Sequence, residues 1–204
     1  MSLLRPFSAL DLFSFNGINL DVWTETYGVN YYLSYMSTWP DLFSVVESAG
    51  ASKRIETGTC ESGGFGGGEG GELMGYVMGK TEGRGKDWHG HVSAITVSPS
   101  HRRLGLASMM MDLLESVSDQ DKGWFVDLFV RESNDLAIGL YQSLGYMIYR
   151  RVIGYYGGGP REPDEDAFDM RKVLSIDKKK DSIRLPKGIK SGRDWAVGPE
   201  EIVF

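Results

Sequence analysis

The 204-residue sequence has a single cysteine, Cys60, which rules out an internal disulfide and any zinc cluster built on cysteines. Long apolar runs are missing too. Nothing reaches the roughly 20 residues that a bilayer-spanning helix needs, and the N-terminus "MSLLRPFSALDLF" lacks the layout of a secretion signal. These absences leave a cytoplasmic protein with no membrane partner. Positive charge is in deficit: 22 Lys and Arg stand against 28 Asp and Glu, a net charge of −6. A broad basic face for nucleic acid is therefore not supported, although Arg102 and Arg103 remain available to smaller anions. Histidine is scarce, at three residues. His89 and His91 lie two apart on a strand pattern and share a face, but no third ligand is apparent beside them, so no metal is expected.

What is present is ordinary globular composition, 41% hydrophobic and 25% charged, enough to pack a core. Ser8 precedes "ALDLFSF" and caps a first helix, with Asp11 at the capping-box position. "YYLSYMSTW" carries aromatics at helical spacing, and "LFSVVES" (42–48) reads as a strand. Residues 50–71 differ in kind. Glycine and serine dominate and periodicity vanishes, so the segment reads as a flexible insertion between neighbouring strands. No helix follows its glycines, so it is not a phosphate loop.

"ELMGYVMGK" (72–80) and "WHGHVSAITVS" (88–98) read as long strands. A helix then places Leu106, Met110, Leu113 and Val117 on one face. "WFVDLFV" (124–130) is a buried strand in which Asp127 shares a face with Phe125 and Phe129, either near solvent or raised in pKa. "SNDLAIGLYQSLGY" puts Ala137, Leu140, Tyr141 and Leu144 on one stripe and stops at Gly145. "YMIYRRVIGYY" and "AFDMRKVL" are strands, and "EPDED" between them is a solvated acidic loop. Beyond Leu174 the chain is charged and has few core candidates, the composition of a mobile or partner-bound tail. The order of elements defines a mixed α/β or α+β fold with a largely antiparallel front half.

"RRLGLA" (102–107) sits at a strand-to-helix junction. The first turn of a helix offers unpaired N–H groups and the positive end of its dipole, which suits a diphosphate. Gly105 and Ala107 keep bulk away from such a ligand, and Arg102 and Arg103 add charge. Periodicity alone makes Tyr141 a core tyrosine and Asn134 a helix N-cap. Strand propensity alone accounts for Tyr155 and Tyr156, and alternation aims at most one of that pair into any one cleft unless a bulge intervenes.

"RRLGLA" followed by "NDLAIGLYQSLGY" (134–146) resembles the GNAT acetyltransferases. "LDLFSFNGINLDVWTETYG", "WHGHVSAITVSPSHRRLGLA", "FVDLFVRESN", "VIGYYGGG" and "EPDEDAFDMRK" narrow the resemblance to catalytic subunits of NatB-type N-terminal acetyltransferases. It covers residues 3–173 apart from the insertion. The resemblance implies an α+β fold in α/β/α layers, with a mixed, mostly antiparallel sheet whose central strands splay. One acetyltransferase domain would span 1–173, with 174–204 as a charged tail. It also implies acetyl transfer from acetyl-CoA to nascent chains that begin Met-Asp, Met-Glu, Met-Asn or Met-Gln. The expected partner is a large helical-repeat auxiliary subunit that forms a heterodimer and links to the ribosome.

The same resemblance assigns roles to residues. Val97, Arg102, Arg103, Leu104, Gly105, Leu106, Ala107, Asn134 and Tyr141 would hold acetyl-CoA, with a backbone N–H near Val97 for the oxyanion. Tyr141 would serve the CoA sulfur, and Asn134 would contact CoA or an ordered water. His91 would face the second residue of the peptide or relay a proton. Glu25, Tyr27, Tyr155 and Tyr156 would line the peptide site. His89 would be a strand-edge residue and His101 a loop residue near the phosphates. The rival readings are a GNAT enzyme for lysine side chains or small amines, and a module that binds acetyl-CoA or a partner without turnover.

Overall fold

The strands are β1 (Ser2–Pro6), β2 (Phe43–Ser48), β3 (Leu73–Glu82), β4 (His89–Val97), β5 (Phe125–Arg131), β6 (Met147–Tyr156), β7 (Glu165–Val173) and β8 (Ala196–Val197), and β-branched and aromatic residues are frequent in β2 to β6. Segments with apolar residues three and four apart form α1 (Val29–Thr38), α2 (Leu106–Gln120) and α3 (Asp135–Ser143). The computed structural model describes residues 2–14, 17–19, 24–48, 71–158 and 163–202. Cys60 and the expected insertion, apart from Gly71, lie outside the described residues. Among those described, eight strands form one sheet in the order β1-β2-β3-β4-β5-β7-β6-β8. The β4–β5 and β6–β8 pairs are parallel, whereas β1–β2, β2–β3, β5–β7 and β6–β7 are antiparallel. This is the mixed, mostly antiparallel α+β sheet expected.

The chain divides into two compact units, Met1–Gly79 with Ala94–Asp112, and Lys80–Ser93 with Leu113–Phe204. In the first, β1 and β3 flank β2, with Ser2 opposite Ser48 and Phe43 opposite Met78. The core is aromatic. Phe7 stacks on Phe43 at 3.9 Å, and α1 turns Tyr32 and Tyr35 onto Phe43, Val45, Tyr76 and Met78. The first expected helix is a 3₁₀ segment over Ala9–Phe13, and it opens with the expected capping box between Ser8 and Asp11. Asp11 also takes a two-pronged ion pair from Arg5, at 2.7 and 2.8 Å, so one carboxylate ends the strand and starts the turn.

In the second unit β5 is central, with Gly90–Val92 of β4 parallel on one side and Ala167–Val173 of β7 antiparallel on the other. Gly90 is required there: a Cβ would stand 2.1 Å from the Ser118 Oγ of α2. Ser118 is itself fully buried and donates back to the Leu114 carbonyl at 2.8 Å. The buried face of α2 is therefore Leu106, Met110, Met111, Leu114 and Ser118, rotated from the expected stripe, and Leu113 and Val117 are only half-buried. On α3, Ile138 and Tyr141 are buried while Leu140, expected inside, is exposed.

The tail departs most from expectation. β8 pairs in parallel with β6, Ala196 opposite Arg151 and Val197 opposite Val152. Val197 closes a small core with Val152 and Ala167. Gly192 passes so close to β6 that a Cβ would lie 2.1 Å from the Ile148 carbonyl oxygen. Composition hides this because the tail is held by backbone pairing and one buried carboxylate rather than by a periodic apolar face. Asp177 accepts from the Asp181 amide at 2.9 Å and from the Ser182 amide and hydroxyl at 2.8 and 2.6 Å. Burial alone would raise its pKa. The bonds from Ser182 and Asp181 outweigh that and hold the carboxyl below the usual range.

Asp177→Ala should loosen this turn by about 1–2 kcal/mol, read as faster amide hydrogen exchange over residues 177–185 with β5 and β7 unaffected. A depressed folded pKa adds stability that is complete above the unfolded value and lost as pH falls. The wild-type tail should therefore begin to open below about pH 4.

Candidate active site

The candidate residues fall in both units, and each unit positions its own set. In the first, β4 ends at Val97. The Ser98 amide bonds the Met74 carbonyl at 2.8 Å, and a Pro99–His101 turn leads into "RRLGLA". Arg103 (φ 64°) and Gly105 (φ 76°) both take left-handed backbone, a conformation that is uncommon for arginine and natural for glycine. Gly105 is required by its φ rather than by crowding, since a Cβ there would meet nothing within 4 Å. The first bond of α2 runs from the Met109 amide to the Gly105 carbonyl at 3.0 Å. The amides of Leu106, Ala107 and Ser108 thus precede the helical ladder. Arg102, Arg103 and Leu104 are exposed beside them. Here the chain can hold an anion with backbone amides, a helix dipole and two guanidinium groups.

The same unit brings the 24–27 segment to β4. The Thr24 and Thr96 hydroxyls bond at 2.9 Å, one residue before Val97. The Tyr27 amide donates to the Tyr32 hydroxyl at 3.1 Å, and its ring stacks on Tyr31 at 4.5 Å. Glu25 is exposed between these anchors.

In the second unit, His91, Phe129, Tyr155 and Tyr156 form one continuous group. The His91 ring centre lies 5.7 Å from that of Phe129. Tyr155 stacks on Phe129 at 4.6 Å, and Tyr156 meets Tyr155 edge-on at 5.0 Å. The Tyr156 hydroxyl donates to the Phe129 carbonyl at 3.1 Å. Simple alternation would separate the two tyrosines, and a bulge prevents that. The β6–β7 register shifts between Val152 and Tyr156, where Gly154 has φ 61° and donates to Asp166 at 2.8 Å.

Asp127, given no role from sequence, is the partner of His91. It is fully buried, and its Oδ1 accepts from His91 Nδ1 at 2.8 Å. The expectation of an exposed or raised carboxyl is overturned. Burial pushes the pKa up, but His91, then His89 and Arg171, lower it below the usual range. His89 is not a loosely packed edge residue either. It is buried, its ring lies flat on Phe125 at 4.5 Å, and its Nδ1 bonds the Asp87 carbonyl. Glu82 stands beside both histidines: one atom each of Glu82, His89 and His91 lie within 4.8 Å of one another. Period-two alternation put Asp127 on the face of Phe125 and Phe129. Its opposition to His91 depends on the parallel register, which local sequence does not carry.

Asn134 and Tyr141 are placed on α3. The Asn134 side-chain oxygen caps the helix by accepting from the Ala137 amide at 3.1 Å. Tyr141 is buried, 6.0 Å from the Tyr146 ring, and burial pushes its hydroxyl up to about 12. At neutral pH it is a phenol, able to donate a proton.

Residues 25–146 match the Acetyltransferase (GNAT) family, and the fold with its amide-rich turn ahead of α2 defines an acetyltransferase of that class. The chain is 50% identical over 204 residues, 100% of both chains, to the N-terminal acetyltransferase B complex catalytic subunit of Schizosaccharomyces pombe. A solved NatB acetyltransferase complex bound to a bisubstrate inhibitor is similar at 36% identity and a TM-score of 0.75, covering 99% of each chain. Another, bound to CoA and MES, is similar at 39% identity and a TM-score of 0.65, covering 84% of this chain and 99% of that one. The chain belongs to the family of catalytic subunits of the N-terminal acetyltransferase B complex, enzymes with acetyl-CoA as co-substrate.

Gly154→Ala should cost about 1–2 kcal/mol at this left-handed position, lowering Tm by about 2–4 °C per kcal/mol. It should also part Tyr155 from Phe129, seen as loss of the ring-current shifts of Phe129 in NMR spectra.

Proposed function

We propose that this chain acetylates the α-amine of nascent chains beginning Met-Asp, Met-Glu, Met-Asn or Met-Gln. It would work in the cytoplasm as the catalytic half of a heterodimer with a large helical-repeat subunit that links it to the ribosome. The observation that carries the substrate reading is the group formed by His91, Phe129, Tyr155 and Tyr156. Aromatic rings suit a methionine side chain, because sulfur–aromatic contacts are favourable. An imidazole held by Asp127 supplies a hydrogen-bond donor for a carboxylate or amide side chain at the second residue. Glu25 and Tyr27, on the segment tied to Thr96, grip the peptide N-terminus in this reading.

Acetyl transfer then asks for little else. The peptide α-amine, with an ordinary pKa of about 8, is neutral often enough near pH 7.5 to attack the thioester carbonyl carbon. A C–N bond forms, and the oxyanion takes a hydrogen bond from a backbone N–H near Val97. The adduct's nitrogen loses its extra proton to water, and collapse of the tetrahedral adduct breaks the C–S bond and expels the CoA thiolate. Tyr141, a phenol at working pH, donates or relays the proton the thiolate needs. The Arg102–Ala107 turn holds the diphosphate, and Asn134 steadies the start of α3 and contacts CoA or an ordered water. Transfer is direct within a ternary complex.

The deciding assay uses the chain co-expressed with its auxiliary subunit. It measures acetyl transfer to peptides beginning Met-Asp, Met-Leu and Ser-Glu, and to a lysine peptide with a blocked N-terminus. Preference for Met-Asp is expected. Activity on the blocked peptide alone would move the substrate to lysine, and acetyl-CoA binding without any transfer would reduce the chain to a binding module. Tyr141→Phe should lower kcat about 10²–10⁴-fold while leaving the Kd for acetyl-CoA within about twofold, measured by calorimetry; an unchanged kcat removes the proton-donor role.

A further inference from the structure

We infer that Glu82, His89, His91 and Asp127 form a binding site for one divalent cation of the zinc class. The four residues come from three adjacent strands of the second unit. Glu82 ends β3, His89 and His91 share one face of β4, and Asp127 stands opposite His91 on β5. Their donor atoms already converge. His89 Nε2 is 3.5 Å from Asp127 Oδ1 and 3.8 Å from Glu82 Oε1. His91 Nδ1 is 2.8 Å from Asp127 Oδ1 and 3.9 Å from Glu82 Oε1. In a tetrahedral zinc centre the metal–ligand bonds are about 2.0–2.2 Å, which separates neighbouring donors by about 3.3–3.6 Å. Three of the four separations are within a few tenths of that edge. The fourth is the hydrogen bond that a metal would replace.

The tautomer of His89 argues in the same direction. Its Nδ1 lies against the Asp87 carbonyl oxygen, which can only accept, so the proton sits on Nδ1. Nε2 then faces two carboxylate oxygens, an arrangement that is repulsive unless a proton or a metal ion lies among them. A ring nitrogen that donates to a backbone carbonyl while the other faces anionic donors is the usual outer support of a metal-bound histidine. The carboxylates add to this. Glu82 Oε1 and Asp127 Oδ2 are buried without hydrogen-bond partners, and Asp127 is completely inaccessible. Among the described residues, the side-chain cations beside the carboxylates include Lys80, on the other Glu82 oxygen, and Arg171, which is itself bound to Asp169. Two imidazoles and two carboxylates in a small buried space suit zinc better than calcium or magnesium, which prefer a fuller oxygen shell. Binding would displace the Nδ1 proton of His91 and fix its ring, leaving Nε2–H as a donor.

The experiment uses the full chain with its co-expressed auxiliary subunit, purified without a polyhistidine tag or chelator. Metal content is read by mass spectrometry. Zinc affinity is read by competition with a chromophoric chelator, and cobalt substitution by visible absorption. We expect one equivalent per chain, a Kd tighter than about 1 µM, and the intense visible bands of tetrahedral cobalt. His89→Gln and Glu82→Gln, each confirmed folded by circular dichroism, should weaken zinc at least about 100-fold. A wild-type protein that carries no metal and binds zinc no tighter than magnesium overturns the site, whether or not the variants fold. So does zinc binding undiminished in both variants, and the two imidazoles are then held by protons alone. Every readout is independent of acetyl transfer, so failure here leaves the proposed substrate reading untouched.

Discussion

A carboxylate sealed from water must have a hydrogen-bond donor in reach and opposite charge nearby, and Asp127 imposes that condition on the second unit. The sheet meets it by register. Asp127 lies opposite His91 on β4 and opposite Arg171 on β7, so one row across three strands runs imidazole, carboxylate, guanidinium. The neighbours of the row follow from its needs. His89 lies flat on Phe125, and the Arg171 guanidinium sits 4.4 Å above the same Phe125 ring and 3.9 Å above Tyr149. Arg171 is also bound to Asp169, which carries Arg150 at 2.8 Å. Removing any one member leaves another short of its partner in a low-dielectric interior. That makes the row a set of mutually dependent groups rather than a sum of pairs.

Around this row, several special backbone positions re-aim a side chain or admit a close approach. Gly90, between the two histidines, brings β4 against Ser118 of α2. Gly154 turns consecutive tyrosines toward one phenylalanine. Arg103 and Gly105, both left-handed, lead the chain into α2, whose first-turn amides lie outside the helical ladder as at any helix start. An arginine at φ 64° is a local cost of order 1 kcal/mol. It falls in the turn proposed above to hold the diphosphate.

The tail shows how little apolar surface is needed to dock a segment when backbone groups are used in full. Val197 and Trp195 supply its packing. Ladder bonds to β6, such as that from the Arg151 amide to the Trp195 carbonyl at 2.8 Å, and the Asp177 turn supply the rest. Lysines at 178–180 stay exposed, which is why composition reads the segment as mobile.

Local sequence determined the elements. The 3.6-residue spacing in α2 and α3, the strand-like runs of β3 to β7, the Ser8–Asp11 and Asn134 caps and the glycine ahead of α2 were all legible, because each rests on interactions within a few residues. The motifs that carry the family are local in the same sense. Non-local geometry decided the rest. Which side of α2 is innermost follows from packing at Gly90, and the joint position of Tyr155 and Tyr156 follows from a bulge in the β6–β7 register. Asp127 gained its partner, and Glu82 and His89 their places, only when strands distant in sequence were set side by side. Cross-strand register is fixed by the burial and pairing of whole strands, and no short window of sequence contains that information.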